Sequence, residues 1–168
     1  MARKPNAPFL DAGDRFPVLE LTLTDGSHLT LPTGLSRPYN VILVNRGAWC
    51  PYCVSQLKAF QAGIAKLEEE GIGVVSLSAD PCDRALAMAR EHHLQFPVAC
   101  GASVDAVGAA LGVYYEPTPG ERGPHLQSAG FLLGPDGRVL LAVYSSGAVG
   151  RLVWQDVLGL VRYIRSHS

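Results

Sequence analysis

The order of hydrophobic and polar residues predicts a series of short strands in this chain. Apolar and polar positions alternate on both sides of Asp25-Gly26, which predicts a β-hairpin over residues 18–31. Continuous apolar runs at 39–44 and 72–77 are typical of strands that are buried on both faces. The other predicted strands are 96–99 and a second hairpin formed by 131–133 and 139–144.

The segments between these strands have the hydrophobic periodicity of helices. The longest helix is predicted from Cys50 to Glu70, and its apolar stripe consists of Cys53, Leu57, Phe60, Ile64 and Leu67. Further helices are predicted at 80–93 with Asp80 as N-cap, at 103–111 with Ser103 as N-cap, and at 151–166. The segment 116–124 is rich in proline and glycine and is expected to be a loop.

This order of elements predicts an α/β fold. Strand–helix–strand units imply a mostly parallel central sheet with helices on both faces, and the two hairpins add antiparallel strands, so the sheet is mixed. No repeat or linker divides the 168 residues. We therefore expect one domain over residues 1–168, with the first hairpin as an N-terminal extension.

Composition and charge narrow the possible partners. Apolar residues make up 48 % of the chain and charged residues 17 %, which allows a sizeable buried core. The 14 basic and 15 acidic residues give a net charge of −1. This balance indicates neither a nucleic-acid partner nor binding to an anionic membrane.

Three features predict a cytoplasmic location. The segment 1–8 has a basic pair but no apolar stretch behind it, so a secretory signal peptide is not expected. No apolar run approaches the roughly 18 residues that a membrane-spanning helix needs. Four cysteines are too few for a disulfide-dense secreted protein of this size.

The segment Trp49-Cys50-Pro51-Tyr52-Cys53 is the strongest candidate for chemistry. It lies where a buried strand passes into a helix, so Cys50 is expected to be exposed at the helix N-terminus, where unpaired N–H groups stabilise a thiolate. Cys53 follows one turn later, close enough for the two sulfur atoms to form a disulfide. Thiolates in such positions have pKa values of roughly 3.5–7.5. Arg46 is a candidate cationic neighbour.

Other interpretations of the cysteines remain open. A zinc site would need further ligands, and neither a second CxxC nor a His-x₃₋₅-His pattern is present. The pair could also be structural, in a protein that only binds a partner. Cys82, at a helix start, could be a redox partner, but it is first interpreted as a small half-buried residue, and Cys100 is interpreted as a core thiol. We therefore expect the oxidised protein to contain a Cys50–Cys53 disulfide, with Cys82 and Cys100 as free thiols. His125 is the one histidine with a candidate role.

Nearly the whole chain resembles the alkyl hydroperoxide reductase / thiol-specific antioxidant family, the peroxiredoxin-like branch of the thioredoxin superfamily. The similarity is carried by Gly13-Asp14-x-x-Pro17, by the hairpin before the buried strand, and by 131–137 (Phe-Leu-Leu-Gly-Pro-Asp-Gly). The segment 45–53 (Asn-Arg-Gly-Ala-Trp-Cys-Pro-Tyr-Cys) resembles a subgroup with a CxxC motif. This resemblance implies a thioredoxin-like fold.

The chain departs from the family at three positions whose residues hold the peroxide in typical members. Typical members have a threonine or serine three residues before the reactive cysteine and a proline seven before it, where this chain has Gly47 and Leu43. The family's arginine aligns with Ser128. The proline of thioredoxins that precedes the equivalent strand aligns with Ala129.

The resemblance implies a thiol-dependent peroxidase. Cys50 would reduce a hydroperoxide and Cys53 would resolve the product, with a thioredoxin- or glutaredoxin-type reductant and no metal or organic cofactor. Arg46, Trp49 and Tyr52 are candidates for positioning the substrate, with Arg46 replacing the missing arginine. The alternative is a protein disulfide oxidoreductase that uses the same CxxC. A non-enzymatic redox-sensing or binding module is a second alternative.

Overall fold

The computed structural model of the protein describes residues 7–118 and 120–168. Its strands are β1 (Leu19–Leu23), β2 (His28–Leu31), β3 (Tyr39–Val44), β4 (Ile72–Leu77), β5 (Val98–Cys100), β6 (Tyr115–Glu116), β7 (His125–Leu126), β8 (Ala129–Leu133) and β9 (Val139–Tyr144). Its helices are α1 (Pro51–Ala62), α2 (Ile64–Glu69), α3 (Cys82–Glu91), α4 (Val104–Leu111) and α5 (Trp154–Ser166).

Seven strands form one mixed sheet in the order β2-β1-β5-β4-β3-β8-β9. Only β5, β4 and β3 run parallel to one another, and all other pairings in this sheet are antiparallel. The predicted α/β class and both hairpins are confirmed. The prediction of a mostly parallel sheet is wrong, because the first hairpin pairs with β5 and the second with β3, so antiparallel pairings predominate.

The sheet separates two hydrophobic clusters. Alternate residues of β3 point to opposite sides: Val41 and Leu43 contact the cluster under α1, α2, α3 and α5, whereas Ile42 and Val44 contact the cluster under α4. All six residues of β3 are buried, which explains its apolar run from Val41 to Val44. The central position of β3 fixes the loop that follows it, and that loop carries the CxxC segment.

The helix predicted from Cys50 to Glu70 is divided at Gly63. A side chain at Gly63 would collide with the Trp154 ring of α5, so the close packing of this tryptophan requires glycine there. The predicted helix at 80–93 also begins later, at Cys82, with Pro81 as N-cap. Asp80 does not cap it, because its carboxylate accepts a hydrogen bond from the N–H of Ala48 instead.

The segment 116–124, predicted as a loop, is flanked by two short strands. Tyr115 pairs with Leu126 and Glu116 with His125, which forms a separate two-stranded sheet. Segment 1–8, in which no signal peptide is expected, lies mostly outside the described residues, which begin at residue 7. No helix in the described part of the chain is long and apolar enough to cross a membrane.

Candidate active site

Cys50 and Cys53 lie at the junction of β3 and α1, as predicted. Cys50 is the N-cap of α1, with extended backbone angles, and Pro51 occupies the first helical turn. A proline fits there because its missing N–H would have no partner in the helix. The backbone N–H of Cys50 donates to the carbonyl of Gly47 at 3.1 Å. Both cysteines are free thiols in this structure.

Two arginines from distant parts of the chain contact the Cys50 sulfur. The Nη1 atom of Arg46 lies 3.6 Å from Cys50 Sγ, and the Nη2 atom of Arg151 lies 3.7 Å from it. The backbone N–H of Arg46 also donates to Cys53 Sγ at 3.2 Å. The sequence indicated Arg46, but it gave no signal for Arg151, which is 101 residues from Cys50.

Both sulfur-bearing residues are buried, which corrects the expectation that Cys50 is exposed. The exposed fraction is 0 % for Cys50 and 1 % for Cys53. Cys50 is covered because the half-buried side chains of Arg46, Trp49 and Arg151 surround the start of α1.

The surroundings separate the pKa values of the two thiols. Burial raises the pKa of Cys50, but the N–H and thiol of Cys53, the guanidinium of Arg46 and the charge of Arg151 together bring it below its ordinary value. Burial also dominates at Cys53 and raises its pKa to about 11, although Arg46 and Arg151 partly oppose this. The site therefore favours a thiolate on Cys50 and a protonated thiol on Cys53.

The loop before Cys50 is held in a conformation that requires glycine. Gly47 has a φ of +145°, in the region that favours glycine. A Cβ atom there would lie 2.5 Å from Trp49 Nε1 and 2.8 Å from Asp80 Oδ1. Asp80 holds the same loop, since its Oδ2 accepts the Ala48 N–H at 2.7 Å. This explains why Gly47 stands where the resembling family has threonine or serine.

Trp49 lies in a group of cationic side chains. The guanidinium carbons of Arg46 and Arg122 are 4.7 Å and 4.6 Å from the centre of its ring, and both contacts are cation–π interactions. The His125 ring packs against Trp49 edge to face at 5.0 Å. His125, the histidine with a candidate role, therefore contacts Trp49. No feature of the sequence indicated Arg122.

Tyr52 lines a cleft of about 450 Å³ between α1 and the segment that precedes α5. It is 52 % exposed. Arg151 lines this cleft, as do mainly apolar residues that include Ala59, Phe60, Val149, Leu152 and Val153. Neither Trp49 nor Arg122 lines it.

A disulfide joins Cys82 and Cys100, so the expectation that both are free thiols is wrong. Their Cα atoms are 4.9 Å apart. Cys82 begins α3 and Cys100 ends β5, and these elements pack together although the residues are 18 positions apart in sequence. No local periodicity brings the two together, which is why their proximity could not be read from the sequence.

The site can perform redox chemistry on sulfur. It combines a stabilised thiolate, an adjacent protonated thiol and two guanidinium groups that can donate hydrogen bonds to an attacked oxygen or sulfur atom. In the described residues, no three His, Cys, Asp or Glu side chains are grouped as metal ligands would be.

Comparison with known proteins identifies two similar peroxiredoxins. A peroxiredoxin of Treponema denticola is 28 % identical over 145 residues, which cover 83 % of this chain and 66 % of that protein, just under two thirds. A peroxiredoxin of Chlorobaculum tepidum is 26 % identical over 159 residues, which cover 91 % of this chain and 72 % of that protein.

Solved structures confirm the predicted thioredoxin-like fold, in the form found in peroxiredoxins. A peroxiredoxin-like protein from Aquifex aeolicus has a TM-score of 0.77 at 19 % identity, over 94 % of this chain and 90 % of its own. Peroxidoxin BcpB from Mycobacterium tuberculosis has a TM-score of 0.76 at 21 % identity, over 93 % of this chain and 99 % of its own. The sequence model of the AhpC/TSA family matches residues 12–141. The chain therefore belongs to the AhpC/TSA family.

Proposed function

We propose that this protein is a thiol-dependent peroxidase in which Cys50 attacks hydroperoxides and Cys53 resolves the product. The observation that carries the proposal is the contact of two guanidinium groups with the Cys50 sulfur, in a chain of the AhpC/TSA family. Arg46 and Arg151 supply cationic hydrogen-bond donors at the reacting sulfur. They take the place of the threonine and arginine that the family's usual pattern provides.

The first step is attack of the Cys50 thiolate on the terminal oxygen of the hydroperoxide. The S–O bond forms as the O–O bond breaks, sulfur is oxidised to sulfenic acid, and the alkoxide leaves and takes a proton from solvent. Negative charge moves from sulfur to the departing oxygen. The N–H groups of Arg46 and Arg151 can donate hydrogen bonds to the departing oxygen and stabilise this charge, because both arginines already contact the sulfur.

The second step uses Cys53. Its thiol condenses with the sulfenic acid to give a Cys50–Cys53 disulfide and water. An external dithiol then reduces this disulfide by exchange, and a thioredoxin- or glutaredoxin-type protein has the required chemistry. The pKa of about 11 keeps Cys53 protonated while Cys50 is the thiolate, so the two residues do not compete as nucleophiles.

A cytoplasmic location is part of this proposal. It rests on the supply of reducing dithiol proteins in that compartment, which the cycle needs, and it requires the Cys82–Cys100 disulfide to withstand those reductants. Cell fractionation followed by antibody detection tests it, and recovery of the protein outside the cytoplasm would contradict it.

The second candidate is a protein disulfide oxidoreductase. The observation that favours it is exposed apolar surface beside the CxxC motif, where Tyr52, Val149 and Val153 are 52 %, 62 % and 45 % exposed. Such a surface could receive a protein substrate, with Cys50 attacking its disulfide.

One paired assay separates the two candidates. With a single dithiol reductant present in both arms, we expect turnover of hydrogen peroxide and of an organic hydroperoxide. We expect slower turnover of a protein disulfide. Rapid reduction of the disulfide without consumption of either peroxide would replace the peroxidase proposal with the oxidoreductase.

The pH dependence of the reaction tests the two arginines. Arg46→Ala and Arg151→Ala should each raise the Cys50 pKa, because the thiolate loses a neighbouring positive charge. Between the old and new pKa values, peroxide reduction should slow as thiolate is lost. Well above both values the ionisation effect disappears, and any remaining deficit reports lost positioning of the peroxide. Thiolate absorbance and stopped-flow rates across pH measure the two effects.

Arg90→Ala provides the matched control, because Arg90 is an exposed arginine in the last turn of α3. It should leave the titration of Cys50 unchanged. If Arg46→Ala and Arg151→Ala behave like this control, neither guanidinium acts on the thiolate.

A further inference from the structure

Asp80 is a carboxylate buried beside the loop that carries Cys50. It is 6 % exposed, and no ion pair within residues 7–118 and 120–168 includes it. A buried carboxylate without a cation is costly unless N–H groups donate to it. The Ala48 N–H donates to its Oδ2 atom at 2.7 Å. The chain therefore keeps a buried charge where that charge contacts the active-site loop.

Strand β4 and the residues that follow it hold the loop at both ends. At the first end, the side-chain amide of Asn45 donates to Ser76 Oγ at 2.8 Å, and both residues are buried. At the second end, Asp80 accepts the Ala48 N–H. The hydrogen bond to Asp80 is the one nearer in sequence to Cys50, so it fixes the part of the loop that leads directly into α1.

The contacts with both sulfur atoms depend on the path of this loop. Arg46 lies between the two held ends, its guanidinium contacts the Cys50 sulfur, and its backbone N–H donates to the Cys53 sulfur. The carbonyl of Gly47 accepts the N–H of Cys50. A shift of the loop would therefore change the surroundings of the thiolate without altering any residue that touches it.

Asp80 is itself held by the end of β5. Its carbonyl accepts the Gly101 N–H at 2.7 Å, and its own N–H donates to Ser78 Oγ at 3.2 Å. Two residues later, Cys82 is joined to Cys100 by the disulfide. The covalent bond and the hydrogen bonds together fix the segment that carries the carboxylate.

We propose that Asp80 is a positioning residue for the Cys50 thiolate and that the Cys82–Cys100 disulfide holds Asp80 in place. This inference rests on the proposed peroxidase function, to which it adds the group that fixes the reactive loop. The hydrogen bond from Ala48 keeps the loop in the path that brings a guanidinium group to the sulfur. Asp80 acts through the loop backbone alone and exchanges no proton or electron in the cycle.

Two substitutions separate the hydrogen bond of Asp80 from its charge. Asp80→Asn keeps an oxygen that can accept the Ala48 N–H, whereas Asp80→Ala removes both the acceptor and the charge. At a pH well above the Cys50 pKa, we expect Asp80→Ala to slow peroxide reduction about tenfold, the order for loss of a hydrogen bond to a charged group. Asp80→Asn should recover most of the rate.

Asp83→Ala is the matched control, because Asp83 is an exposed aspartate in the first turn of α3. It should leave the rate unchanged. Unfolding midpoints of all variants establish that each is folded at the assay temperature. If Asp80→Ala fails to fold, Asp80→Asn decides: a rate tenfold below that of the unmodified protein, with the acceptor oxygen present, would overturn the inference.

The Cys50 pKa gives a readout that needs no peroxide. Both Asp80 variants remove a negative charge, which alone lowers the pKa of a neighbouring thiol. Only Asp80→Ala also releases the loop, and with it the Arg46 guanidinium that stabilises the thiolate. We therefore expect thiolate absorbance to give a higher Cys50 pKa in Asp80→Ala than in Asp80→Asn. If the unmodified protein consumes no hydroperoxide, the proposed function fails, while this comparison still tests Asp80.

The role of the disulfide is tested in the same assay. Cys82→Ser/Cys100→Ser should slow peroxide reduction at high pH, by less than Asp80→Ala does and without abolishing it. Added to Asp80→Ala, the double substitution should cause no further loss, because both changes act through one hydrogen bond. Losses that multiply would overturn the link between the disulfide and Asp80. Equal rates or equal Cys50 pKa values in Asp80→Ala and Asp80→Asn would overturn the positioning role itself.

Discussion

We expect Cys50→Ser to abolish peroxide reduction. Cys53→Ser should complete one turnover and then stop, with Cys50 left as a sulfenic acid. The reason is the separation of the two pKa values: that of Cys50 is lowered and that of Cys53 is raised to about 11. Cys50 is therefore the first of the two thiols to ionise as the pH rises. Single-turnover stopped-flow measurements, with a reagent that traps sulfenic acid, distinguish the two variants.

The reverse outcome would reassign the roles. If Cys53→Ser is inactive in its first turnover while Cys50→Ser is not, Cys53 is the nucleophile. Cys53→Ala serves as a control for the hydrogen bond that Arg46 donates to the Cys53 sulfur, because alanine cannot accept it. Equal single-turnover rates for the serine and alanine variants would show that this hydrogen bond does not affect the attack.

Loss of the Cys82–Cys100 disulfide should lower the free energy of unfolding by about 3 kcal/mol. The bond closes a loop across a sequence separation of 18, and a loop of that length restricts the unfolded chain by an amount of this order. The double variant Cys82→Ser/Cys100→Ser, unfolded by urea without reductant, measures the loss. With dithiothreitol present the unmodified protein should unfold as the variant does. Identical unfolding midpoints without reductant would contradict the prediction.

The same double variant decides which cysteine pair reduces peroxide. Cys82 and Cys100 are at disulfide distance, so they too could act as a peroxidatic and resolving pair. Cys82 also begins a helix, but the charged contacts are at Cys50, where two guanidinium groups meet the sulfur. Retained peroxide turnover in the double variant would leave the reaction with Cys50. Its loss, with the fold intact, would move the reaction to Cys82.

The sequence was most informative where the signal is local. The predicted limits of the strand 39–44 match the observed ones, because burial on both faces leaves an apolar run from Val41 to Val44. Ser103 was predicted as an N-cap, and its hydroxyl accepts the N–H of Ala106. The position of Cys50 at the start of a helix could also be predicted, because the residues that begin a helix are neighbours in the chain.

What the sequence did not reveal depends on contacts between distant residues. Arg151 meets Cys50 because the segment before α5 passes the start of α1, and no periodicity encodes that approach. Cys82 reaches Cys100 only after α3 packs on β5. The position of Asp80 before Pro81 predicts a helix cap, but its carboxylate accepts a hydrogen bond from the Ala48 N–H of the active-site loop instead. In each case tertiary packing determined the partner.

The crowding around Gly47 limits how this site can have diverged from the common family pattern. A threonine introduced there alone would meet the Trp49 indole and the Asp80 carboxylate, and its backbone angle would be unfavourable. Changing only Trp49 would leave the backbone angle unsuitable for threonine. The two versions of the site are therefore separated by strongly coupled substitutions, whose separate effects do not add. An evolutionary or engineered route between them must replace the loop from Arg46 to Trp49 as one unit.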